Sequence, residues 1–556
     1  MASVLGIFDI GKRALLANQR ALLVTSHNIA NINTPGYTRQ EVIFEEAVPF
    51  NAQPGQIGSG MKITKINRIF DKFIELQMNA ESQNFGNAEI KKNILQRVEV
   101  IFKESDKSGI NNAISQLFNA FHDLSLNPDG ATERSVVLSR GEILSTLLNK
   151  SYSDLSQIQQ DLNTQLKSVI SEVNDLASQI ADLNEKISRT IIDGQEPNDY
   201  RDKRNVLLNE LGQKTDISYF EDSLGQVTVM IGGQYPIVEA RSSASLVGIN
   251  KTDNSGFINI GIDMGNGNTI DITNNISNGS ISGLLYLRDT MIPKLTDDIN
   301  LLSASLTKEI NIQHRNGYDL NSNTGNDFFS SLSITSKSKA SNNGSASIGS
   351  GSILSLSSLT LHNYEIRFTS PTAFDIVDVT SGSAVSSGNT YTSGANIDFD
   401  GIRVVITDGT GTPQTGDIFT VSSTENAAKD IGVAITDTNT IAASSSSAGL
   451  PGDNGNALLL AELENSLVLS NSTDTFNGFY NSIAEWTGAE SRKAQDSFTI
   501  QELIQQELGN MREEVSGVSL DEETANLIKF QQAFEAGARL ITMADELLQT
   551  IVNLRR

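Results

Sequence analysis

Both ends of this chain carry an apolar stripe on a seven-residue repeat, and a stripe of that kind has to be covered by something. Phe8, Leu15, Leu22 and Ile29 recur every seven residues, with Leu16, Leu23 and Ala30 beside them. The spacing predicts an amphipathic helix to about Ile32. Asn33-Thr34-Pro35-Gly36-Tyr37 then stops it, because proline cannot continue a helix and glycine permits a turn. At the other end Ser519 and Glu522 read as a capping box. Asp521, Glu522 and Glu523 suit the positive helix end, and Arg555 and Arg556 the negative end. From there Leu527, Phe530, Phe534, Gly537, Ile541, Ala544, Leu548 and Ile551 alternate by threes and fours, with Gly537 and Ala544 leaving room for a close helix approach. The simplest partners for two such helices are each other and copies of the chain, so residues 1–60 with 516–556 are expected to form a terminal coiled coil.

Between the ends the pattern is nested. An extended stretch at Val42-Ile43-Phe44 leads to a Pro/Gly-rich loop at 49–60, and helix is expected from about Phe70 to Asn127-Pro128-Asp129-Gly130. A long helix is predicted from about Ser135 to Ile192. Leu166, Val169, Val173, Leu176, Ile180, Leu183 and Ile187 make a strict three-four seam, with a stutter near Leu162. At about 1.5 Å per residue it would span roughly 80 Å, a rod. A short helix over 199–212 follows. Residues 61–215, 283–330 and 450–515 are therefore grouped as a helical rod domain. Residues 216–282 alternate (Val227, Val229, Ile231) and read as a β-rich segment. Residues 331–449 turn to Ser, Gly, Thr and Asn but keep alternation in Tyr364–Phe368 and Ile402–Ile406, so an inserted outer β domain is expected, with 336–352 and 442–449 as linkers at its edges. The fold class is multidomain α plus β.

With 556 residues the chain is too long for one core. A net charge of −25 would be repelled by a phosphate backbone, which argues against nucleic acid as a partner. No run approaches the roughly 20 apolar residues of a membrane span. The N-terminus lacks a basic region before its apolar residues, so no cleaved secretory signal is expected. No cysteine is present, which removes disulfides and thiolate metal sites.

Candidate chemistry is sparse. His27, His122, His314 and His362 have no metal-ligand spacing and read as polar or capping residues. Asp319–Asp327 has oxygen-bearing side chains like a calcium loop. Its glycine is one place late, however, and Ser330 stands where a bidentate glutamate would be needed, so a turn held by Asx side chains is the better reading. Glu45-Glu46 and Asp297-Asp298 are adjacent and point apart. No catalytic, cofactor or metal residues are assigned, and a non-enzyme is expected.

Ser26-His27-Asn28-Ile29-Ala30-Asn31-Ile32-Asn33-Thr34-Pro35-Gly36-Tyr37-Thr38-Arg39 resembles the N-terminal signature of flagellar rod, hook and hook-associated proteins. Within it Asn28, Asn31, Thr34, Pro35, Gly36 and Tyr37 are the signature residues. Asn198–Arg204 with Leu207–Leu211, Gly283–Asp289, Asn311–Leu320, Gly325–Phe329 and Ser516–Glu523 with Phe530–Phe534 are similar to motifs of the hook-associated protein 1 family, with Asn321 in place of a frequent glycine and Phe534 in place of a common tyrosine. The resemblance implies a structural subunit at the hook–filament junction, exported by the flagellar type III apparatus without a cleaved signal. Its implied partners are itself in a ring, the hook protein, hook-associated protein 3 and a cytoplasmic chaperone. Phe8, Leu15, Leu22, Ile29, Leu527, Phe534, Ile541, Leu548 and Ile551 are the expected assembly interface, and Ile541, Leu547, Leu548 and Ile551 the expected chaperone contacts. Another axial protein, such as a hook or distal-rod subunit, is the first alternative. A rod-associated peptidoglycan hydrolase or an adhesin is weaker.

Overall fold

The computed structural model describes residues 2–52, 55–103, 109–251, 256–265, 267–470 and 472–553. Arg555 and Arg556, read as favouring the negative end of the last helix, lie outside the described residues. Helix α1 (Ala2–Ala30) runs into a turn, and strands Gln40–Glu46 and Met61–Arg68 pair antiparallel after it. The loop expected at 49–60 contains a further small hairpin, Phe50–Ala52 with Gly55–Ile57.

The helical rod begins with α2 (Lys72–Ile101) and α3 (Ile110–Leu126), then α4 (Ala131–Ile192) and α5 (Asn198–Lys214). At 62 residues α4 is about 90 Å long. Every seam residue from Leu166 to Ile187 is buried, and Leu155, Ile158 and Leu162 continue the buried face through the stutter. Helix α6 starts at Gly279 rather than 283 (Gly279–Tyr286), passes through a π-helical turn at Leu287–Met291, and continues as α7 (Ile292–Asn316). Pro293 has no N–H to continue the ladder just after the π-helical turn, and the Arg288 carbonyl accepts instead from Gln159 Nε2 of α4 at 2.8 Å. The chain returns through α8 (Ala427–Asp430), α9 (Gly455–Glu462) and α10 (Phe476–Ser516), and ends in α11 (Leu520–Asn553).

The β-rich segment has no core of its own. Val229, Ile231, Ile260 and Ile262 join the same buried cluster as Leu144, Val173, Leu295 and Phe476. Alternation marks these strands, but their apolar faces lie against α4, so sheet and rod form one body.

The inserted β domain has a separate core, running from Ile334 to Val421. Its main sheet is antiparallel, in the order Thr335–Ser338, Ile418–Ser422, Asn363–Ser370, Ala373–Asp378, Ser383–Thr390. Two expectations fail here. Residues 336–352 are not a linker: Thr335–Ser338 is a strand of the main sheet, and Ser347–Ile348 and Ser352–Ile353 pair with Ile402–Thr407. Residues 427–449 do not belong to the insert. Ala428, Ile431, Ile435, Ile441 and Ala443 are buried in the rod core, so Ala442–Ser444 is packed structure and only the exposed residues 445–449 remain at the surface. The small residues Ala442, Ala443 and Ser444 reflect tight packing.

Candidate assembly interface

Helices α1 and α11 lie against each other, and the crossing is set by two glycines. A Cβ on Gly11 would stand 3.0 Å from Ile541 Cγ1 and 3.3 Å from the Gly537 carbonyl oxygen, and one on Gly537 would stand 3.3 Å from the Leu15 nitrogen. The C-terminal stripe faces this contact as its spacing predicts. Gly537 and Ala544 are buried, and Leu527, Phe530, Phe534, Ile541, Leu548 and Ile551 are half-buried along it.

The N-terminal stripe is displaced by one position. The face of α1 turned inward is Val4, Ile7, Gly11, Ala14, Asn18, Ala21, Thr25 and Asn28, a strict three-four alternation of mostly small residues. Close helix approach selects small side chains at the seam, whereas the seven-residue reading followed the large ones. Phe8, Leu15, Leu22 and Ile29 therefore flank the seam. Phe8 is 37% exposed and the other three are half-buried. Leu5, Leu16 and Leu23 point away from α11, at 53%, 48% and 65% exposure. On α11 Ile528, Leu540, Met543, Leu547 and Val552 are likewise exposed. Of the expected chaperone contacts, Leu547 is thus open, while Ile541, Leu548 and Ile551 lie along the seam.

The residues after α1 form an elbow that locks this helix pair to the rod. Asn28 is buried and satisfied on both amide atoms. Its Nδ2 donates to the Gln40 carbonyl (2.9 Å) and Glu523 Oε2 (3.1 Å), and its Oδ1 accepts from the Gln40 N–H (3.0 Å) and the Tyr37 hydroxyl (2.7 Å). Burial, with Asp199 next in effect, pushes the Tyr37 hydroxyl well above the ordinary phenol range, which keeps it a donor. Asn31 Nδ2 donates to the His27 carbonyl and Asn31 Oδ1 accepts from Thr34, which shapes the turn. Gly36 has φ +76°, and its carbonyl accepts from Arg512 of α10 at 2.8 Å. Thr38 donates through its backbone N–H (2.9 Å) and its hydroxyl (2.6 Å) to Asp202 of α5, which also pairs with Arg68 at 2.6 Å. Arg39 reaches Glu522 (2.5 Å) and buried Glu523 (2.9 Å) at the start of α11, and Arg512 pairs with buried Glu75 of α2 (2.9 Å). The capping box is therefore half made: the Glu522 N–H approaches Ser519 Oγ at 3.5 Å, but its carboxylate is taken by Arg39.

Glu75, Asp202, Arg512 and Glu523 escaped the sequence reading as elbow residues. Asp202 had a signal in the Asn198–Arg204 motif and Glu523 in the C-terminal motif, while Glu75 and Arg512 had none. Replacing Asn28 by alanine would strip partners from four buried groups, and a loss of about 3 kcal/mol is expected in urea unfolding. Faster amide exchange at Gln40 would place that loss at the elbow.

The remaining motifs form a second lock inside the rod. Asn311 of α7 donates to the Phe329 carbonyl and accepts from the Phe328 and Phe329 N–H groups, all within 3.0 Å. Arg315 pairs with Asp327. Asp319 Oδ1 accepts from the Asn321 and Asn323 N–H groups, an Asx-held turn. Buried His314 donates from Nδ1 to the Asn326 carbonyl (2.7 Å), and its Nε2 accepts from the Ala442 N–H (2.9 Å). That pair of bonds requires the neutral ring, and burial lowers the His314 pKa. A base depressed in the folded state is protonated more readily when unfolded. Stability is thus expected to be level above the unfolded histidine value of about 6.5 and to fall below it, by up to about 1.4 kcal/mol per pH unit. Urea midpoints at pH 7.5 and 5 should differ for the natural chain and differ less for His314→Gln.

Three family models match. "Flagella basal body rod protein" covers residues 8–38, "Flagellar hook-associated protein FlgK helical domain" covers 95–329, and "Flagellar basal body rod FlgEFG protein C-terminal" covers 511–554. Flagellar hook-associated protein 1 of Escherichia coli (strain K12) is 26% identical over 546 residues, 97% of this chain and 98% of that protein. The protein of the same description from Bacillus subtilis (strain 168) is 26% identical over 594 residues, 100% and 99% of the two chains. This chain is similar to flagellar hook-associated protein 1 along nearly its whole length. The fold agrees with that of the flagellar hook junction protein FlgK from Burkholderia pseudomallei, with a TM-score of 0.68 at 19% identity over 79% of this chain and 100% of that one. In this hook-associated protein 1 relative, the rod-protein match at 8–38 spans most of α1 and the elbow as far as Thr38. The match at 511–554 begins beside Arg512 and runs along α11, so two matches far apart in sequence meet at one joint.

Proposed function

We infer that this chain is a structural subunit of the bacterial flagellum that forms the hook–filament junction and allows the filament to assemble on the hook. The observation that carries the reading is near end-to-end similarity to hook-associated protein 1 of two distant bacteria. The architecture supports it. A close-packed terminal helix pair exposes large leucines on its outer side, as a subunit of a helical tube requires, and the elbow fixes that pair to a long rod. No helix among the described residues is long and apolar enough to cross a membrane. The subunit would be exported through the flagellar type III channel without a cleaved signal and would contact itself, the hook protein and hook-associated protein 3. A chaperone would cover α11, with Leu547 its accessible contact and Ile541, Leu548 and Ile551 reached by opening the seam. Its role is structural, without catalysis. Electron microscopy of a deletion strain tests the reading: hooks without filaments are expected, and missing hooks would assign the chain to the hook or distal rod instead.

A further inference from the structure

The chain crosses between the helical core and the β insert twice, at Ser330–Ile334 going out and at Ser423–Ile431 coming back. Both crossings pass over Thr307 of α7, and together they wall a cavity of about 10 Å³, lined by Thr307, Ser330, Ser423, Glu425 and Asp430 among others. Thr307 and Ser423 are each 1% exposed, and neither hydroxyl oxygen has a hydrogen-bond partner in the protein. That is unusual for this helix. On α7 Thr296 donates to the Ile292 carbonyl at 2.9 Å and Ser303 to the Ile299 carbonyl at 2.8 Å, the ordinary way a helical hydroxyl is satisfied four residues back. Thr307 makes no such bond. Buried hydroxyls left without a partner are costly, and two of them on one small cavity point to a shared ligand.

We propose that this cavity binds a single water molecule, which bridges Thr307 Oγ1 and Ser423 Oγ as a built-in part of the neck between rod and insert. The volume is about that of one water-sized sphere, and the wall is polar, the two conditions an internal water needs. The water accepts from one hydroxyl and donates to the other, and Ser330, Glu425 and Asp430 also line the cavity. A metal ion is the poorer occupant, because Glu425 already pairs with Lys337. Beyond the neck a cleft of about 420 Å³ separates the insert from α4 and α7. A water can exchange one partner for another as the insert tilts, so the neck can pivot without stranding either hydroxyl.

The test uses the full chain and three variants, read by amide exchange over residues 423–431 and by a crystal structure at about 1.5 Å. Thr307→Val keeps the shape and removes the hydroxyl. It is expected to speed exchange roughly three- to tenfold, because the water and Ser423 lose a partner. Ser423→Ala should act in the same direction, while Thr307→Ser keeps the hydroxyl and should stay near the natural rate. Density for one water between the two hydroxyls is expected. Slower or unchanged exchange in Thr307→Val, with faster exchange in Thr307→Ser, would show a dry cavity and overturn the proposal. Exchange that changes several-fold when sodium is replaced by choline would overturn it in favour of a bound cation.

Discussion

Gly36→Val is expected to unlatch the terminal helix pair from the rod at a cost of about 3 kcal/mol or more. Two effects add. Gly36 sits at φ +76°, where a β-branched residue is strained. A Cβ there would also stand 2.2 Å from Val206 Cγ2 on α5, well inside contact distance. Relief requires the loop to move away from α5, and that motion pulls the Gly36 carbonyl from Arg512 and the Thr38 N–H from Asp202. Pro35→Ala should be far milder, under about 1 kcal/mol, since it chiefly adds freedom to the unfolded chain. The measurement is urea unfolding with proteolysis across residues 31–39. Gly36→Ala with Val206→Ala separates the two effects, because the second change removes the clash and leaves the strained φ. A Gly36→Val chain that unfolds at the natural urea concentration and resists proteolysis would refute the argument.

The elbow also shows where reading a sequence reaches its limit. Asn28–Tyr37 stood out as a signature, and the need for glycine at 36 followed from the turn. The partners did not, because Asp202, Arg512 and Glu523 lie 164 to 495 residues from the groups they bind. Charge pairing over such distances leaves no local period. The rod was legible because α4 buries one continuous seam, and a strict three-four spacing sustained from Leu166 to Ile187 has few other meanings. The inward face of α1 was misread for a physical reason. Hydrophobicity weights large side chains, while a helix crossing as tight as Gly11 on Gly537 is built from small ones. The same bias made Ala442, Ala443 and Ser444 look like linker, although all three are buried. Size and polarity alone could not distinguish a flexible tract from a tightly packed one.

That displacement of the α1 stripe makes a sharp prediction, because it assigns stability and assembly to different faces of one helix. Ala21 is fully buried on the seam. Ala21→Leu would force bulk into the α1–α11 contact and should cost roughly 1–3 kcal/mol in the isolated subunit. Leu16 and Leu23 lie on the outer face, so Leu16→Asp with Leu23→Asp should change the stability of the subunit by less than about 0.5 kcal/mol. In the proposed assembly neighbouring copies cover the outer leucines, and burying two uncompensated carboxylates there would be prohibitive. The double variant is therefore expected to give a folded, exported monomer and a cell with hooks but no filaments. Circular dichroism and urea unfolding of the purified chain, set beside electron microscopy of the strain, read the two faces separately. If the Leu16/Leu23 variant assembles filaments normally, the outer face is not the contact between copies. If it unfolds the monomer while Ala21→Leu does not, the seam has been assigned to the wrong side of α1, and the large-residue stripe would be restored as the inward face.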